Sequence, residues 1–452
     1  MTDVVVVGAG PAGMSAALEL RARGFEVTVV DDQPAPGGRI FAAIETRAVH
    51  GAEDRSGFEL VRRFRESGGT YLSEAEVWQI EQGTRVFLTS EGRARVLDCR
   101  FVLLASGAQE RPMPFPGWEL PGVMTVGAAQ ILLKTARQVP DHPVWLAGTG
   151  PLLLLYAHQL LAAGGKIAGI LDTTPPGTAL ASASRLPAAL RYGWRDLLRG
   201  LPWLAEVARL QVIRNVTSIE ASGSGRLERL SYVTRRGRKG EVEARLLLIH
   251  DGVVPAVHGT LAAGCEHRWN AWQRCFEPVA DKYGRSSVPS IFVAGDGASV
   301  LGARAAVCTG KLAALGIAVA AGSLSHDEAE AAGVPLLRKV SAARDFRRLI
   351  DSLYPPVELA IPDGALICRC EEVTAGDIRA AIAGRPSLGP DGAKIATRAG
   401  MGPCQGRQCG PSLNRVVSEV HGVERADAGF LRIRPPLKPL TLAELAALDA
   451  GS

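Results

Sequence analysis

The sequence predicts an α/β protein with two Rossmann-like domains, each built on a parallel sheet, followed by a small C-terminal domain that contains cysteines. Two observations predict the Rossmann-like domains. A buried strand runs into a glycine-rich turn and a helix at the N-terminus, and the same order recurs near residue 144. A third observation, two close cysteine pairs near the end of the chain, predicts a metal centre there. A chain of 452 residues has room for about three domains.

Composition and charge exclude several classes of protein. Lys and Arg number 51 and Asp and Glu number 46, and the resulting net charge of +5 is too small an excess to indicate a nucleic-acid surface. The tightest basic run, residues 235–239, is interpreted as the charged tip of a hairpin. No uninterrupted apolar stretch of about 18 residues occurs, so we expect no transmembrane segment.

The N-terminus and the cysteines indicate the compartment. The chain starts directly with a strand rather than with the basic and apolar segments of a signal peptide. Cys99, Cys265, Cys275 and Cys308 are scattered and do not suggest a disulfide framework. We therefore expect a cytoplasmic protein in which the lone thiols of Cys99 and Cys308 are core residues.

The first glycine turn has the full context of a dinucleotide-binding fingerprint. The apolar strand 3–7 leads into Gly8-Ala9-Gly10-Pro11-Ala12-Gly13, a helix follows, and the next strand ends at Asp31 and Asp32. In such a turn the first glycine permits the bend, the second lets a pyrophosphate approach the backbone, and the third lets the helix pack on the strand. The helix N-terminus supplies N–H donors. We therefore predict a bound dinucleotide, with Asp31 accepting hydrogen bonds from its adenosine ribose.

Three later segments favour FAD as that dinucleotide. Gly37 and Gly38, followed by Arg39, leave room for a flavin to pass close to the backbone. One buried strand ends in Ala105-Ser106-Gly107 and another in Gly295-Asp296. With these segments the chain resembles the flavoprotein disulfide reductase superfamily, which joins two dinucleotide-binding domains. The resemblance implies that Asp296 binds the ribityl chain of FAD, and a helix N-cap is the alternative role for this residue.

The second glycine turn, Gly148-Thr149-Gly150-Pro151-Leu152-Leu153, has a leucine where the third glycine is expected. The strand, the helix and a second strand ending at Asp172 are in place, but close packing of helix on strand is compromised. No arginine pair follows to hold a 2′-phosphate, so Asp172 favours NADH over NADPH. Two interpretations stay open: a domain kept as a scaffold, which we favour, and a working NADH site.

The sequence lacks the residues that two kinds of chemistry would need. Disulfide reductases carry a redox-active cysteine pair close to the flavin, and neither dinucleotide-binding domain contains such a pair, which excludes disulfide reduction. No acid–base pair that includes a histidine stands out at a strand end either. His250 and Asp251 are interpreted as residues that form hydrogen bonds in a loop. We therefore name no catalytic side chain.

Four cysteines in a C-x-C and a C-x4-C pair can close around one inorganic centre: Cys368, Cys370, Cys404 and Cys409. Structural zinc sites favour C-x2-4-C pairs. An anionic [2Fe–2S] cluster takes four thiolates and benefits from cations such as Arg369, Arg398 and Arg407. We predict the [2Fe–2S] cluster, with zinc and no metal as the alternatives. Together with residues 398–404, this segment resembles the bacterioferritin-associated ferredoxin-like (BFD-type) [2Fe–2S] domain, which implies that the four cysteines are the ligands.

The order of the three domains makes the resemblance more specific. Together with residues 109–118, 120–124, 148–155 and 281–296, it resembles the α (A) subunit of heteromeric FAD/[2Fe–2S] amine dehydrogenases over nearly the whole chain. That family includes opine oxidases, hydroxyproline dehydrogenases and the flavoprotein subunit of hydrogen cyanide synthase. The resemblance implies that a partner β subunit with its own FAD oxidises the amine, and that electrons pass through flavin and cluster to an acceptor. An FMN at an interface between chains and a small γ subunit are further expectations that it leaves open.

The predicted fold is therefore two dinucleotide-binding domains of the disulfide reductase type plus a BFD-type [2Fe–2S] domain. The FAD-binding domain is discontinuous, 1–135 and 250–330, because its closing strand follows the second domain at 136–249. A connector at 331–362 leads to the [2Fe–2S] domain at 363–430, and a proline-rich tail occupies 431–452.

Three functions are weighed on this basis. The favoured one is the α subunit of an amine or amino-acid dehydrogenase, which relays electrons. The alternative is a stand-alone NADH-dependent flavoprotein reductase that passes electrons out through its [2Fe–2S] domain. The third is an assembly subunit in which nucleotide and cluster are only structural.

Overall fold

The computed structural model describes residues 2–49, 51–81 and 84–448, apart from the side chains of residues 191 and 192. The first domain begins with a parallel sheet whose strands are apolar because both of its faces are covered. Its elements are β1 (Thr2–Val7), α1 (Pro11–Ala22), β2 (Val27–Val30), α2 (Gly51–Glu66), β3 (Thr70–Leu72), β4 (Ala75–Glu81), β5 (Arg85–Ser90), β6 (Arg93–Leu104) and β7 (Ala108–Glu110). The parallel strands lie in the order β3-β2-β1-β6, and the first half of β6 forms an antiparallel meander with β5 and β4.

The second domain repeats the strand–turn–helix order of the first. Its elements are β8 (Val123–Thr125), α3 (Val126–Ala136), β9 (Val144–Thr149), α4 (Pro151–Ala162), β10 (Ile167–Asp172), α5 (Thr178–Ser182), α6 (Leu186–Val207), β11 (Val212–Arg214), β12 (Val216–Ser222), β13 (Arg229–Thr234), β14 (Lys239–Glu243) and β15 (Leu247–Asp251). A parallel sheet has the order β11-β10-β9-β15-β8, and β12, β13 and β14 form a separate antiparallel meander. The basic run lies in the turn between β13 and β14.

The chain then returns to the first domain. It forms β16 (Val253–Pro255), α7 (His258–Ala262), β17 (His267–Asn270), β18 (Cys275–Pro278), β19 (Ile291–Val293) and α8 (Ala303–Ala320). Strand β19 pairs in parallel with β6 and extends the first sheet. By length and composition α8 could cross a membrane, but 61% of its 18 residues are buried inside the protein, where it packs on α1. It is therefore placed as a core helix.

The C-terminal part begins with the long helix α9 (His326–Leu353), whose start is fixed by a capping box between Ser325 and Glu328. The remaining elements are β20 (Leu366–Cys368), β21 (Val373–Thr374), α10 (Ala375–Ile382), α11 (Pro390–Thr397), α12 (Gly410–His421), α13 (Arg425–Ala428) and α14 (Leu442–Ala446). Helices α10 to α13 share a core that includes Ile378, Leu413 and Val417. The tail lies back on the first domain, since the N–H of Leu437 donates to the carbonyl of Trp78 at 2.9 Å.

Two predicted domain limits need correction. The sequence places residues 123–135 in the first domain, but Val123 pairs with Leu247 in the second sheet, and α3 follows directly. The limit at 330 falls inside α9, which is one continuous helix. The two errors have different causes. The first depends on pairing with a strand more than 120 residues away, and the second arises because α9 continues through Gly333 and Pro335, which locally disfavour a helix.

The two dinucleotide-binding domains are joined by a short two-stranded link. Strand β7 pairs antiparallel with β16. At the end of β7 the buried guanidinium of Arg111 donates hydrogen bonds to the carbonyls of Asp251 (3.2 Å), Gln273 and Arg274 (2.9 Å). The carboxylate of Asp251 in turn accepts from the N–H of Val357 at 2.7 Å, which ties in the segment after α9. Arg111 and Asp251 thus join the end of β7, the segment at 273–274 and the segment after α9 at one point.

We expect Arg111→Ala to lower the free energy of unfolding by more than about 3 kcal/mol, because it leaves three carbonyls without their charged donor. The matched control is Arg236→Ala at the exposed hairpin tip, which should change stability by no more than about 0.5 kcal/mol. Urea unfolding followed by fluorescence measures both. Equal midpoints for the two variants would contradict the importance of the link.

Candidate functional site

The first glycine turn is packed too tightly for any other residue. A Cβ on Gly8, which has φ +105°, would lie 2.6 Å from the carbonyl oxygen of Ala105, and a Cβ on Gly13 would lie 1.9 Å from that of Gly8. Gly38 faces Gly10 so closely that its Cβ would lie 3.0 Å from the Gly10 Cα. The bare backbones of two glycine segments therefore form a cradle that a side chain would fill, and this fits a pyrophosphate.

The start of α1 is available to an anion. Gly10 is its N-cap residue and Pro11 its first residue, and within the described ranges no side chain caps this helix. The N–H groups of the first turn, including those of Ala12 and Gly13, are therefore not claimed by a cap. Helix α8 packs directly behind this turn, because a Cβ on Gly310 would lie 2.1 Å from the carbonyl oxygen of Ala12.

The two aspartates after β2 differ in environment. Asp31 is buried, and its carboxylate accepts hydrogen bonds from the N–H groups of Ala9 and Gln33, the latter at 2.7 Å. Burial raises the pKa of Asp31, and these hydrogen bonds oppose the rise. Asp32 is exposed and accepts from the side-chain amide of Gln33 at 2.9 Å. Asp31 therefore ties the glycine turn to the end of β2, and its contact with a ribose stays a prediction.

Asp296 lies in a short 3₁₀ turn between β19 and α8. Its Oδ1 accepts from the N–H groups of Leu301 and Gly302, both at 2.9 Å, and burial raises its pKa. Ser106 follows β6, the strand that pairs with β19, and its hydroxyl donates to the carbonyl of Ala256 at 2.9 Å. The hydrogen bonds leave Oδ2 of Asp296 for a ligand, so loop capping and the binding of a hydroxyl are compatible roles for this side chain.

A cavity of about 2750 Å³, called the central cavity below, lies beside these residues. On one side it is lined by Arg39, Asp296 and Gly302, and on another by residues 404, 407 and 408 of the cysteine-rich domain. Pockets for a single small ligand usually have about 300–1000 Å³. The volume therefore exceeds what one ligand needs, and the predicted flavin site and cysteine site open onto the same space.

The four predicted ligands come together from two ends of the C-terminal domain. Cys368 ends β20 and Cys409 precedes α12, and both are buried, whereas Cys370 is exposed and Cys404 half-buried. The thiols contact each other as two pairs, Cys368 with Cys409 and Cys370 with Cys404. A hydrogen bond from Cys409 lowers the pKa of Cys368 to about 5 and raises that of Cys409.

The pairing suits a cluster with two irons. Across residues 2–49, 51–81 and 84–448, no three His, Cys, Asp or Glu side chains gather as the ligands of one metal ion. Two thiolate pairs side by side are what a [2Fe–2S] cluster needs, because each iron takes two protein ligands. The loop also leaves room for the thiols: a Cβ on Gly402 would lie 2.3 Å from the Cβ of Cys370, and the N–H of Gly400 donates to the Sγ of Cys368 at 3.5 Å.

The cysteine loop is docked on the link between the dinucleotide-binding domains. The side-chain amide of Gln109, in β7, donates to the carbonyl of Arg407 at 2.8 Å. The indole N–H of Trp118 donates to the carbonyl of Leu366 at 2.8 Å, and the Arg369 guanidinium lies 5.1 Å from the Trp118 ring centroid. Arg369 and Arg407, two of the cations expected near the cluster, therefore also contribute contacts to this docking.

The second glycine turn packs closely against the end of β15. A Cβ on Gly148 would lie 1.8 Å from the carbonyl oxygen of His250, and one on Gly150 would lie 3.3 Å from the His250 ring. Leu153 is 3% exposed and packs in the core under α4. Asp172 accepts a hydrogen bond from the N–H of Thr174 at 2.9 Å through Oδ1. Both glycines are thus needed for packing against His250.

The structure brings together a histidine and a carboxylate that the sequence does not connect. Nδ1 of His250 lies 2.7 Å from Oε1 of Glu110, and Oε2 of Glu110 accepts from the N–H of Gly127 at 2.8 Å. Both side chains line the central cavity. The sequence contains no local signal for this contact, because the two residues are 140 positions apart and on different strands. Cys99 and Cys308, by contrast, are buried as expected.

Comparison with known proteins defines the class first. The family profile for pyridine nucleotide-disulphide oxidoreductases matches residues 2–172, and that for the BFD-like [2Fe-2S] binding domain matches residues 366–419. The crystal structure of L-proline dehydrogenase from P. horikoshii has the same fold, with a TM-score of 0.71 and 22% identity over 98% of this chain and 79% of that chain. The protein is therefore an FAD-dependent oxidoreductase subunit whose cofactors are FAD and a [2Fe–2S] cluster.

Individual relatives narrow the class to a family. The A subunit of opine oxidase from Rhizobium meliloti is 42% identical and covers 99% of this chain and 87% of the relative. Hydrogen cyanide synthase subunit HcnB from Pseudomonas aeruginosa is 32% identical over 96% of each chain. The chain belongs to the family of the opine oxidase A subunits. The predicted family, fold class and main cofactors are confirmed, and the names of the relatives indicate a heteromeric complex.

We expect Gly13→Ala to lose FAD. The added methyl group meets the Gly8 carbonyl, and moving α1 away from the turn costs about 1–3 kcal/mol, which corresponds to a loss of affinity of about 5- to 150-fold. Flavin absorbance per mole of purified protein measures it. Gly364→Ala, where a Cβ meets no atom within 4 Å, is the control and keeps its FAD. A full FAD content in Gly13→Ala would indicate that the dinucleotide binds at another site.

We expect Cys404→Ser to lose iron and acid-labile sulfide while FAD stays bound, because three thiolates do not complete two irons. Iron and sulfide analysis, with the flavin spectrum as a test of folding, measures this. Cys308→Ala, a buried cysteine outside the quartet, should keep the iron of the unaltered protein. A full iron content in Cys404→Ser would remove that residue from the ligand set.

Proposed function

We propose that this chain is the electron-relay (α) subunit of an enzyme that oxidises the C–N bond of an amino acid or opine-like secondary amine. The observation that carries the proposal is the central cavity, which the residues around Asp296 share with the loop around Cys404. FAD exchanges two electrons and the [2Fe–2S] cluster one at a time. A chain that opens both sites onto one space is suited to pass electrons between them.

In this proposal the residues of this chain bind and position the cofactors and do not react themselves. We assign the glycine cradle at Gly10 and Gly38 to the pyrophosphate of FAD, and Oδ2 of Asp296 to its ribityl hydroxyls. The two thiolate pairs hold the cluster, and Gln109 fixes the loop that carries Cys404 and Cys409 to the link. We infer that the amine is oxidised on a partner β subunit with its own FAD, in keeping with the relatives' names as subunits. The eight cysteines form no disulfide with one another, which supports a reducing cytoplasm.

A stand-alone NADH-dependent reductase is the second candidate. It would need the turn at Gly148 and Gly150 to bind NADH. The packing of His250 against both glycines, and the buried Leu153 in place of the third, favour the scaffold role for this domain. We therefore infer that electrons come from the partner chain rather than from NADH.

An anaerobic titration tests this proposal. We expect NADH to leave the visible absorbance of the purified chain unchanged, because Leu153 replaces the third glycine and His250 packs against the turn, while dithionite bleaches both the flavin and the cluster. The same titration on the complex with its partner, with an opine or other secondary amine added, should bleach both centres. Bleaching of the isolated chain by NADH would favour the stand-alone reductase, and bleaching of flavin without cluster in the complex would contradict the relay.

A further inference from the structure

We propose that the exposed apolar face of α6 is the surface on which the partner β subunit docks, with carboxylates of that subunit beside the arginines at its edge. The inference rests on the proposed relay function, which requires a partner chain, and it adds where that chain binds. The face consists of six side chains, called the α6 stripe below: Leu186, Leu190, Trp194, Leu198, Leu201 and Leu204.

The side chains of the α6 stripe lie along one side of the helix. They recur at intervals of three or four residues, which is the spacing of a single helix face. Each of the six exposes between 42% and 55% of its surface. Single exposed leucines are ordinary on a protein surface, whereas a continuous apolar row is typical of a surface that another molecule covers.

The fold of the chain does not use the α6 stripe. Helix α6 packs on α9 and α4 through a different face, which is formed by small residues. Ala189 is fully buried there, and a Cβ on Gly193 would approach the ring of Phe346 in α9 to 2.3 Å. An ion pair between Asp196 and Arg304 also holds the helix in place. The large apolar side chains of α6 therefore lie on the face that remains open after folding.

The α6 stripe has the size of the centre of an interface. From Leu186 to Leu204 it is about 27 Å long and about 10 Å wide, because a helix rises about 1.5 Å per residue. It therefore covers on the order of 300 Å², whereas a stable complex buries about 800 Å² on each partner. A partner chain that binds here must also cover the polar surface on either side of the stripe. An apolar centre with a polar rim is the usual build of a contact between two proteins.

The edge of the α6 stripe is cationic. The guanidinium of Arg185 lies 4.8 Å from the ring centroid of Trp272, and that of Arg195 lies 5.3 Å from the ring centroid of Trp194. Within the part of the chain that the structure describes, neither arginine has a carboxylate partner, and Asp196 beside them is already used in an ion pair. We therefore expect carboxylates of the partner at this edge. Tryptophan and arginine are also the residues that most often dominate binding at an interface.

A second copy of this chain fits the α6 stripe less well than a β subunit does. A two-fold contact between antiparallel stripes sets the same edge of each helix opposite itself. Arg195 lies midway along the stripe, so such a contact brings two unpaired arginines together, and like charges oppose association. A lipid surface could also accept a helix of this kind. The names of the relatives as subunits, however, already indicate a partner chain, and that chain has to cover part of this surface.

The α6 stripe is also close to the central cavity. Leu204 belongs to the stripe and lines the cavity, and Gly193, Asp196 and Trp203 line it from the inner side of α6. One helix thus forms part of the wall of the cavity and carries the open apolar face. A β subunit docked on the stripe therefore lies next to the space onto which the predicted FAD and cluster sites open.

The test uses the full chain, loaded with FAD and cluster, and its purified β subunit, identified by its own FAD and by bleaching of that FAD with a secondary amine. We expect Trp194→Ala and Leu198→Glu to weaken the complex by about tenfold or more, measured by biolayer interferometry. Arg195→Glu should slow association and make its rate less sensitive to salt. Leu442→Glu, at a leucine of α14 that is 86% exposed, is the control and should bind as the unaltered chain does. FAD and iron contents should be the same in all four variants.

A second measurement does not depend on a loss of binding. Leu198→Cys and Leu442→Cys each place one thiol on the surface, at the stripe and at the control position. We expect both thiols to react with a maleimide in the free chain, and only the one at position 198 to be protected in the complex. Mass spectrometry of the labelled peptides measures both.

The outcomes separate this inference from the proposed function. If the stripe variants bind the β subunit as tightly as Leu442→Glu does, or if the thiol at position 198 stays reactive in the complex, the docking site is wrong while the relay function stands. Faster association of Arg195→Glu would rule out carboxylates at the edge. If the variants lose only self-association, or only sedimentation with vesicles of anionic phospholipid, the stripe binds a second copy or a membrane and the inference is again wrong. If the unaltered chain forms no complex with the β subunit, the proposed function fails and the inference fails with it.

Discussion

The arrangement of all three domains depends on the short link between β7 and β16 and on the buried guanidinium at its end. Arg111 gives three backbone carbonyls a charged donor in a place where water cannot reach them, and an unpaired buried carbonyl is costly. Because this point is fixed, the two residues that precede it are fixed as well. Gln109 meets the cysteine loop and Glu110 meets His250, so one short strand sets the relation of the flavin site, the cluster and the second domain.

The same link also affects the packing around the glycine turn of the second dinucleotide-binding domain. In a working turn the second glycine lets a pyrophosphate approach the backbone. Here Gly148 and Gly150 keep their conformations, with φ of +126° and +114°, but the closest approach is made by His250 of the same chain. The main chain of His250 lies against Gly148 and its ring lies near Gly150, and His250 also lines the central cavity. The second glycine turn is thus connected through His250 to Glu110 at the end of the link.

Two buried polar groups of the cavity are held by hydrogen bonds that orient them and leave one atom without a protein partner. Asp296 uses one oxygen for two backbone N–H groups, and the pair of Glu110 and His250 leaves Nε2 of the histidine. Asp31, which lies outside the cavity lining, differs, since both of its oxygens accept hydrogen bonds, from the N–H groups of Ala9 and Gln33. Asp31 therefore mainly holds the glycine cradle in its conformation.

The sequence by itself determined the elements whose causes are local. The turn from Gly8 to Gly13, the Gly295-Asp296 strand end and the spacing of the four cysteines carry their chemistry within a few residues, and they define the class of cofactors. Only the tertiary structure decided which way Asp31 points, that β8 joins the second sheet, that the tail returns to the first domain, and that Glu110 meets His250. Each of these depends on contacts between residues far apart in the chain, and such contacts form only once the sheets have brought their strand ends together.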